Sequence, residues 1–210
     1  MFVKSIMKPS FECITVQSSD SLRLTLDRMD ENGIDAVPVL EGKKYKGIIT
    51  RHHIFEYYFN KGGDRTSFLN ENKAGENVTH QEEFLTGDEI FENTVIALKN
   101  FPLLAVVGPQ GDFRGIVTRF DVLEQFQSAF GMQRKGVRIA FTSVETEGRL
   151  AKFTDIAHQY HEHIISLVTF DEGDRLVRRI VMKIEQTANL DKFTKKLEEA
   201  GFRILSITED

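Results

Sequence analysis

Two stretches of the chain share one pattern of apolar and polar positions, in which an apolar strand leads directly into a helix. The first reads Gly47-Ile48-Ile49-Thr50-Arg51 and the second reads Gly115-Ile116-Val117-Thr118-Arg119. Asp121 follows three positions after the second threonine, whereas His53 takes that place after the first. Because glycine, isoleucine, threonine and arginine recur at one spacing, 68 positions apart (115 minus 47), the chain contains an internal repeat.

Hydrophobic periodicity predicts the order strand, helix, strand, strand, helix around the first stretch and the same closing elements around the second. In the first repeat we predict a strand at 13–16, a helix capped by Ser19 or Asp20 and ended by Gly33, strands at 36–40 and 45–50, and a helix at 51–59. In the second repeat we predict a helix capped by Asp88, strands at 103–107 and 113–118, and a helix at 120–130. Residues 61–77 are polar with three glycines, which predicts a linker between repeats at 1–60 and 78–131.

The pattern changes after the glycine-flanked segment 131–136. Apolar residues alternate at 137–141 and then recur at helical spacing on one face, formed by Leu150, Phe153, Ala157, Tyr160 and Ile164. Strands at 165–170 and 176–184, joined by a turn at 171–174, a second helix from Leu190 to Ala200 and a strand at 202–207 complete the unit. This βαββαβ order over 137–210 is typical of a ferredoxin-like fold, so the whole chain is predicted to be a mixed α+β protein.

Composition excludes several classes of function. With 40% apolar residues and 17 phenylalanines the 210 residues can build real cores, and a net charge of -5 gives no basic surface for nucleic acid. Cys13 is the only cysteine, and no apolar run approaches the length of a signal or a membrane span. We therefore predict a cytoplasmic protein without membrane insertion. No phosphate loop or nucleophile motif is found, so we predict that it is not an enzyme.

Three histidines, His158, His161 and His163, lie close together in the third unit, and a helix would place the first two on one face. No cysteine joins them, and ordinary helix-end residues explain the cluster better than a metal site. We therefore predict no metal.

Residues 1–130 resemble a pair of CBS domains, known as a Bateman module, through the two Gly-Ile-Ile/Val-Thr-Arg stretches and the strand around Pro38. In that family the hydroxyl-x-x-Asp corner binds adenosine-type ligands. The resemblance implies that the Asp121 carboxylate accepts hydrogen bonds from the ribose hydroxyls and that the helix start favours a phosphate. The arginine that follows each threonine, Arg51 or Arg119, would be a phosphate partner.

The resemblance also implies two clefts, each formed by the threonine corner of one repeat and the early strands of the other. The residues expected in the first cleft are Thr118, Asp121, Arg119, Ile116, Cys13, Ile34, Asp35 and Ala36. The second would use Thr50, Arg51 and His53. Because a histidine there removes the anionic acceptor for ribose, we expect the second cleft to be weak, empty or altered.

The C-terminal unit resembles an ACT domain through Gly148-Arg149-Leu150, which is similar to the Gly-x-Leu of ACT domains that bind amino acids. Glu145, Thr146 and Glu147 stand where Asp-x-Pro is often found, and they disfavour a carboxylate ligand. ACT units commonly pair side by side, so the resemblance implies a homodimer.

The order of the units resembles the stand-alone bacterial CBS-ACT proteins, including the acetoin-utilisation AcuB type and small CBS proteins that bind cyclic di-AMP. This implies a regulatory sensor that needs no cofactor, binds an adenine nucleotide and changes its dimer state or its binding to a regulated protein. AMP, ATP, S-adenosylmethionine and cyclic di-AMP stay open because all share adenosine. Two alternatives remain: a constitutive adaptor with decayed clefts, which His53 favours, and an amino-acid-responsive regulator acting through the ACT domain.

Overall fold

The structure, a computed structural model, describes residues 2–144, 146–173 and 176–209. The chain divides into two compact units, Met1–Val122 and Leu123–Asp210. The helices are α1 Leu22–Asn32, α2 Arg51–Lys61, α3 Arg65–Glu71, α4 Glu92–Ala97, α5 Arg119–Ala129, α6 Arg149–Gln159 and α7 Leu190–Glu199. The strands are β1 Lys8–Pro9, β2 Val16–Gln17, β3 Ala36–Glu41, β4 Lys44–Thr50, β5 Phe84–Leu85, β6 Leu103–Val107, β7 Phe113–Thr118, β8 Val137–Val144, β9 Ile164–Asp171, β10 Val177–Ile184 and β11 Arg203–Glu209. In the described ranges no helix is long and apolar enough to cross a membrane.

The first repeat forms a three-stranded sheet in the order β2-β3-β4, against which α1 packs. The predicted apolar face of α1 is confirmed, since Leu22, Leu26 and Met29 are buried. The predicted cap is wrong: Ser21 accepts the hydrogen bond from the Leu24 amide, while the Asp20 carboxylate accepts one from the Gln17 amide. The predicted strand at 13–16 is also displaced, and only Val16 of it lies in β2.

The segment between the repeats is folded, contrary to the prediction of a linker. Asp64 caps α3 by accepting a hydrogen bond from the Ser67 amide, and α3 buries Phe68 and Leu69 in the core of the first repeat. The ring centroid of Phe68 lies 5.1 Å from those of both Tyr57 and Tyr58. The sequence pattern did not predict this helix, because its only buried apolar residues are the adjacent Phe68 and Leu69 and the rest of the segment is rich in glycine and polar residues.

The second repeat forms a four-stranded sheet in the order β1-β7-β6-β5. Strands β6 and β7 match the prediction residue for residue, and the turn between them contains the predicted Gly111 at φ 79°. The predicted cap of α4 is wrong, because Asp88 forms a surface ion pair with Lys4 at 3.1 Å and α4 begins only at Glu92. The edge strands β1 and β5, two residues each, escaped prediction.

Each repeat completes the sheet of the other with its own leading segment. Strand β1, near the start of the first repeat, pairs antiparallel with β7, and Thr79, at the start of the second repeat, forms an antiparallel bridge with Ile48 of β4. Both backbone contacts need a glycine at the first position of the repeated pattern. A Cβ on Gly115 would meet the carbonyl oxygen of Lys8, and one on Gly47 would lie 2.7 Å from the carbonyl oxygen of Thr79. The glycine that opens the repeat pattern is therefore a docking position for backbone.

An apolar cluster lies between the sheets of the two repeats. Ile48 from β4 and Ile116 from β7 occupy equivalent places in it. The other buried members are Ala36, Leu40, Leu103, Ala105, Val107 and Phe113. This shared core explains why the repeats occur in tandem, since either one alone would expose its half of the cluster.

The C-terminal unit is a four-stranded antiparallel sheet in the order β11-β8-β10-β9, with α6 and α7 contributing to one core. The predicted βαββαβ order is confirmed, and Phe141, Phe153 and Phe193 are fully buried in that core. The predicted helix face from Leu150 to Ile164 is wrong at its C-terminal end, because α6 stops at Gln159 and Ile164 begins β9. Asp174 of the predicted turn lies outside the described residues.

We predict that Phe68→Ala lowers the free energy of unfolding by about 3–5 kcal/mol, because a buried aromatic ring leaves a cavity that α3 cannot refill. The matched control is Phe59→Ala, since Phe59 is 88% exposed at the end of α2, and its effect should stay within about 0.5 kcal/mol. Chemical denaturation of both variants measures the difference. Equal, small effects would mean that the segment is only a tether.

We predict that Gly115→Ala destabilises the first unit by about 1–3 kcal/mol, because the added methyl group must displace β1 from β7. Arg114→Ala, at the neighbouring exposed position of β7, is the control and removes only a surface ion pair with Asp112. The two unfolding free energies should differ clearly in a denaturant titration. An unchanged Gly115→Ala protein would show that β1 does not depend on this close approach.

Candidate functional site

A cavity of about 400 Å³ lies at the threonine corner of the second repeat. Six of the eight predicted residues line it together: Thr118, Asp121 and Ile116 from the second repeat, with Ile34, Asp35 and Ala36 from the first. The remaining lining residues are Lys8, Ile14, Gly33, Pro38, Pro102, Leu103 and Phe120. We call this cavity the carboxylate cleft. It brings together segments that are about 80 to 110 positions apart in sequence, which the strand pairing of the two repeats makes possible.

The corner itself is a reciprocal helix cap. The Thr118 hydroxyl and the Thr118 amide both donate to Asp121 Oδ2 at 2.7 Å, and the Asp121 amide donates to Thr118 Oγ1 at 3.2 Å. Capping fixes both side chains at the mouth of the cleft. A carboxylate offers about four lone-pair positions, and Thr118 uses two of them, so acceptor capacity is left for a second partner such as a diol.

The two arginines of the repeat pattern hold the corner of their own repeat together. Arg119 Nε donates to the carbonyl oxygens of Leu98 at 2.8 Å and Phe101 at 2.9 Å. Arg51 donates from Nε to Asp35 at 2.9 Å and from a terminal nitrogen to Asp30 at 2.6 Å. These contacts raise the pKa of Arg51, the hydrogen bonds to Asp30 and Asp35 being the main cause. Arg119 also lines the other cleft and not the carboxylate cleft, so its predicted contact with a phosphate there stays a prediction.

Cys13 lies beside the carboxylate cleft without lining it. Its Sγ is 3.2 Å from the carbonyl oxygen of Pro9, and the side chain packs against the apolar cluster between the sheets. Burial raises the pKa of the Cys13 thiol to about 11, despite the opposing charge of Lys8. The side chain therefore acts as a neutral filler behind Ile116.

A larger cavity, of about 680 Å³, lies at the threonine corner of the first repeat. The predicted Thr50, Arg51 and His53 line it, together with Asp35 and Arg119. The other lining residues are Ile48, His52, Phe55, His80, Asn100, Phe101 and Pro102. We call it the histidine cleft. Sequence reasoning missed His80, Phe101 and Pro102, although the repeat places Phe101 and Pro102 where Ile34 and Asp35 stand in the carboxylate cleft.

His53 makes the same contacts with the threonine hydroxyl as Asp121 does, without the charge of the carboxylate. The His53 amide donates to Thr50 Oγ1 at 3.1 Å, and the ring nitrogen Nδ1 lies 2.8 Å from the same oxygen. The hydroxyl can donate to a neutral Nδ1, just as the Thr118 hydroxyl donates to Asp121. The helix start is therefore preserved, while the second nitrogen of the imidazole carries a proton where a carboxylate would offer a lone pair.

His80 lines the histidine cleft from a left-handed backbone conformation, at φ 57°. Its Nδ1 lies 2.6 Å from Thr79 Oγ1, and its ring meets the ring of Phe101 edge to face at 3.8 Å between centroids. Burial is the main cause of a lowered pKa for His80, opposed by Glu83, whose carboxylate lies 3.6 Å from Nε2. The imidazole of His80 is therefore harder to protonate in the cleft than in water.

In the C-terminal unit the predicted Gly148-Arg149-Leu150 turn lines a cavity of about 470 Å³. The Arg149 guanidinium donates to Ser143 Oγ and to the carbonyl oxygens of Ala200 and Gly201, so it ties the start of α6 to the end of α7. Glu145, which we expected to disfavour a carboxylate ligand, lies outside the described residues.

The histidines of the C-terminal unit do not share a helix face. His158 lies in α6, whereas His161 follows it at φ 57°, and His163 pairs with Glu185 at 3.5 Å. Within the described ranges no group of three or more His, Cys, Asp or Glu side chains is placed to hold a metal ion.

Comparison with known proteins identifies a CBS domain over residues 3–60. The inosine-5'-monophosphate dehydrogenase of Korarchaeum cryptofilum (strain OPF8) is 28% identical over 169 residues, which cover 74% of this chain and 33% of that protein. The chain thus spans about a third of the length of this curated relative.

Two solved structures share the fold. A CBS domain-containing protein of unknown function from Bacillus anthracis is 26% identical with a TM-score of 0.55, over 60% of this chain and 93% of that one. The Listeria monocytogenes CbpB protein, solved in complex with c-di-AMP, is 25% identical with a TM-score of 0.53, over 60% of this chain and 94% of that one. Both support the assignment of a CBS fold to the 60% of this chain that they cover.

We predict that Cys13 is almost inert toward thiol reagents at pH 8, because a pKa of about 11 leaves on the order of 0.1% thiolate, against about a quarter for a free cysteine. Labelling with a disulfide reagent should therefore be on the order of a hundredfold slower in the folded chain than in the same chain unfolded in guanidinium. With a single cysteine the signal is unambiguous. Equal rates in both states would contradict the burial of the thiol.

Proposed function

We propose that this chain, which carries a CBS domain, is a regulatory protein that binds an adenine nucleotide in the carboxylate cleft. The observation that carries the proposal is the convergence of Thr118, Asp121 and Ile116 with the first repeat's 34–36 segment on one cavity. The proposed activity is binding without a chemical step. The similarity to CBS proteins, one of them solved with c-di-AMP, supports this reading.

Each part of an adenosine ligand has a complementary group in the carboxylate cleft. Asp121 is the acceptor for the two ribose hydroxyls. A neutral side chain in its place would accept these hydrogen bonds less strongly than the carboxylate does. Ile34, Ile116 and Pro102 give apolar surface for the base. Lys8, which β1 places at the edge of the same cavity, is the cation that we assign to the phosphate. Arg119 held that role in the sequence-based hypothesis, but it lines the histidine cleft and not the carboxylate cleft.

A ligand in this cleft would join segments from both repeats, and this is the basis of the proposed regulation. Lys8 and residues 34–36 come from the first repeat and its leading segment, while Thr118 and Asp121 belong to the second. A nucleotide that prefers one spacing of these segments shifts the population of the unit toward it. We further propose that the C-terminal unit is an ACT-like domain that carries homodimerisation, in which case the shift would be read out by a dimer or by a regulated partner.

One observation favours the alternative of a constitutive adaptor. Both arginines that could bind phosphate are already engaged: Arg51 with two carboxylates and Arg119 with carbonyl oxygens. If the clefts were structural only, these contacts would suffice to explain why the repeat pattern keeps its arginine.

We predict that an adenine nucleotide at about 100 times its dissociation constant stabilises the protein by about 2.7 kcal/mol, and that Asp121→Ala abolishes this gain. The variant also loses its helix cap, at about 1 kcal/mol, so each protein is compared with its own ligand-free melting temperature. A thermal-shift screen with AMP, ATP, c-di-AMP, S-adenosylmethionine and amino acids measures the effect.

The matched control is Asp88→Ala, which removes an exposed carboxylate of the same repeat and should keep the full ligand shift. A screen in which no nucleotide stabilises the wild-type chain would support the adaptor. A shift with amino acids alone would transfer the function to the C-terminal unit.

A further inference from the structure

We propose that the histidine cleft is a second binding site of different chemistry, which takes a phosphate-bearing polyanion rather than a ribose and binds it more tightly as the pH falls. The proposal goes beyond nucleotide binding in the carboxylate cleft and does not require it. It reassigns the cleft that sequence analysis expected to be weak, empty or altered.

The first step is the balance of charge around the cavity. Two guanidiniums and three imidazoles line it, from Arg51, Arg119, His52, His53 and His80, against a single carboxylate, Asp35. That carboxylate is already paired with Arg51 Nε at 2.9 Å, and the nearby Asp30 is paired with another nitrogen of Arg51. Asn100 adds an amide. Two carboxylates therefore largely neutralise Arg51, whereas Arg119 donates only to uncharged carbonyl oxygens and keeps its charge. This charge and the N–H donors of the imidazoles and of Asn100 favour an acceptor-rich anion.

The second step is the comparison of the two corners. In the carboxylate cleft, the Asp121 carboxylate can accept from a ligand hydroxyl. In the histidine cleft, Nδ1 of His53 lies 2.8 Å from the Thr50 hydroxyl oxygen, and a neutral ring that accepts from this hydroxyl has its proton on the other nitrogen. A vicinal diol that needs an acceptor finds a donor there, whereas a phosphate oxygen finds the donor that it needs.

The third step follows from the Thr50–His53 contact of 2.8 Å. When His53 is protonated, Nδ1 becomes a donor to Thr50 Oγ1, and the Thr50 hydroxyl proton is released to point elsewhere. Protonation thus adds one positive charge and turns the Thr50 hydroxyl into a donor for a ligand. Histidine is the side chain that makes this change between about pH 5 and 8.

The charged groups around the histidine cleft affect how readily its imidazoles are protonated. From α2 these are Arg51 and His52, and from the segment before the second repeat they are His80 and Glu83, which pairs with His80. Arg119 faces the cleft at the start of α5, and Asp35 faces it before β3. Burial lowers the pKa of His80, so that ring resists protonation without an anion and gains most from one beside it.

The histidine cleft also has an apolar part of its lining, which fits the non-phosphate part of such a ligand. Phe101, Pro102 and Ile48 contribute to it, together with the half-exposed Phe55. At about 680 Å³ the cavity is larger than the carboxylate cleft and has room for several phosphate groups or for a phosphate with an attached ring.

The test is calorimetric titration of the full chain with inorganic tripolyphosphate at pH 5.8 and pH 7.8. Phosphate groups lose charge as the pH falls, with a second pKa near 6, so an unassisted site would bind more weakly at the lower pH. We expect the opposite, roughly tenfold tighter binding at pH 5.8, from one added charge at short range.

Two substitutions at one position separate charge from shape. His53→Gln keeps a neutral cap and is expected to retain the affinity at pH 7.8 while losing the gain at pH 5.8. His53→Asp restores the Thr-x-x-Asp corner of the second repeat and is expected to weaken tripolyphosphate binding at least tenfold at both pH values. Because Asp121 caps α5 in this way, His53→Asp preserves the helix start, and a thermal melt verifies that the variant is folded.

Adenosine without phosphate is the second probe, and it distinguishes the two proposals. Asp121→Ala should abolish adenosine binding and leave the tripolyphosphate isotherm unchanged. If adenosine does not bind, the proposal for the carboxylate cleft fails, and the proposal for the histidine cleft is unaffected. The histidine cleft proposal is overturned if tripolyphosphate gives no heat, if its affinity does not rise at pH 5.8, if His53→Gln keeps the full rise, or if Asp121→Ala removes the signal.

Discussion

The apolar cluster between the two short sheets of the first unit is the constraint on which the rest of that unit depends. Neither sheet has enough strands to bury its own inner face, and the cluster removes the exposed faces of both from water at once. The same contact sets the threonine corner of one repeat opposite the strand start of the other. The clefts are thus a geometrical consequence of the shared core, because each lies where a strand ends beside it.

Crosswise pairing of the leading segments fixes this arrangement further. Strand β1 adds to the sheet of the second repeat, and Thr79 adds to the sheet of the first, each over a glycine that leaves room for backbone. The segments that make these bridges are also the ones that bring Lys8 to the carboxylate cleft and His80 to the histidine cleft. Backbone docking and the assembly of the two clefts therefore depend on the same segments.

The two corners show how one backbone geometry can carry two chemistries. At both helix starts the threonine hydroxyl accepts from the amide of the third residue, and the side chain of that residue, a carboxylate or an imidazole, lies within hydrogen-bond distance of the same hydroxyl. Only the carboxylate remains an acceptor toward a ligand, and only the imidazole can become a cation. The duplication thus preserved the structural role of this position while the polarity of the surface beside it was reversed.

The sequence by itself determined the elements whose information is local or periodic. The repeat pattern predicted β6 and β7 to the residue, Gly33 ended α1 as its left-handed conformation requires, and the alternation and helical stripes of the C-terminal unit predicted its βαββαβ order. It also predicted Thr118, Asp121, Ile116 and the 34–36 segment as one site. This prediction came from the resemblance of the two repeats to a pair of CBS domains, which implied that these distant segments meet.

Only the tertiary structure decided the rest. Strands of two residues, such as β1 and β5, have no periodicity and exist because a neighbouring strand offers hydrogen bonds. Asp20, Asp88, Arg51 and Arg119 were ambiguous in sequence because a charged side chain can cap, pair or bind, and the choice depends on which carbonyl or carboxylate lies within reach. The donor-rich character of the histidine cleft likewise arises only when segments far apart in the chain meet around one cavity.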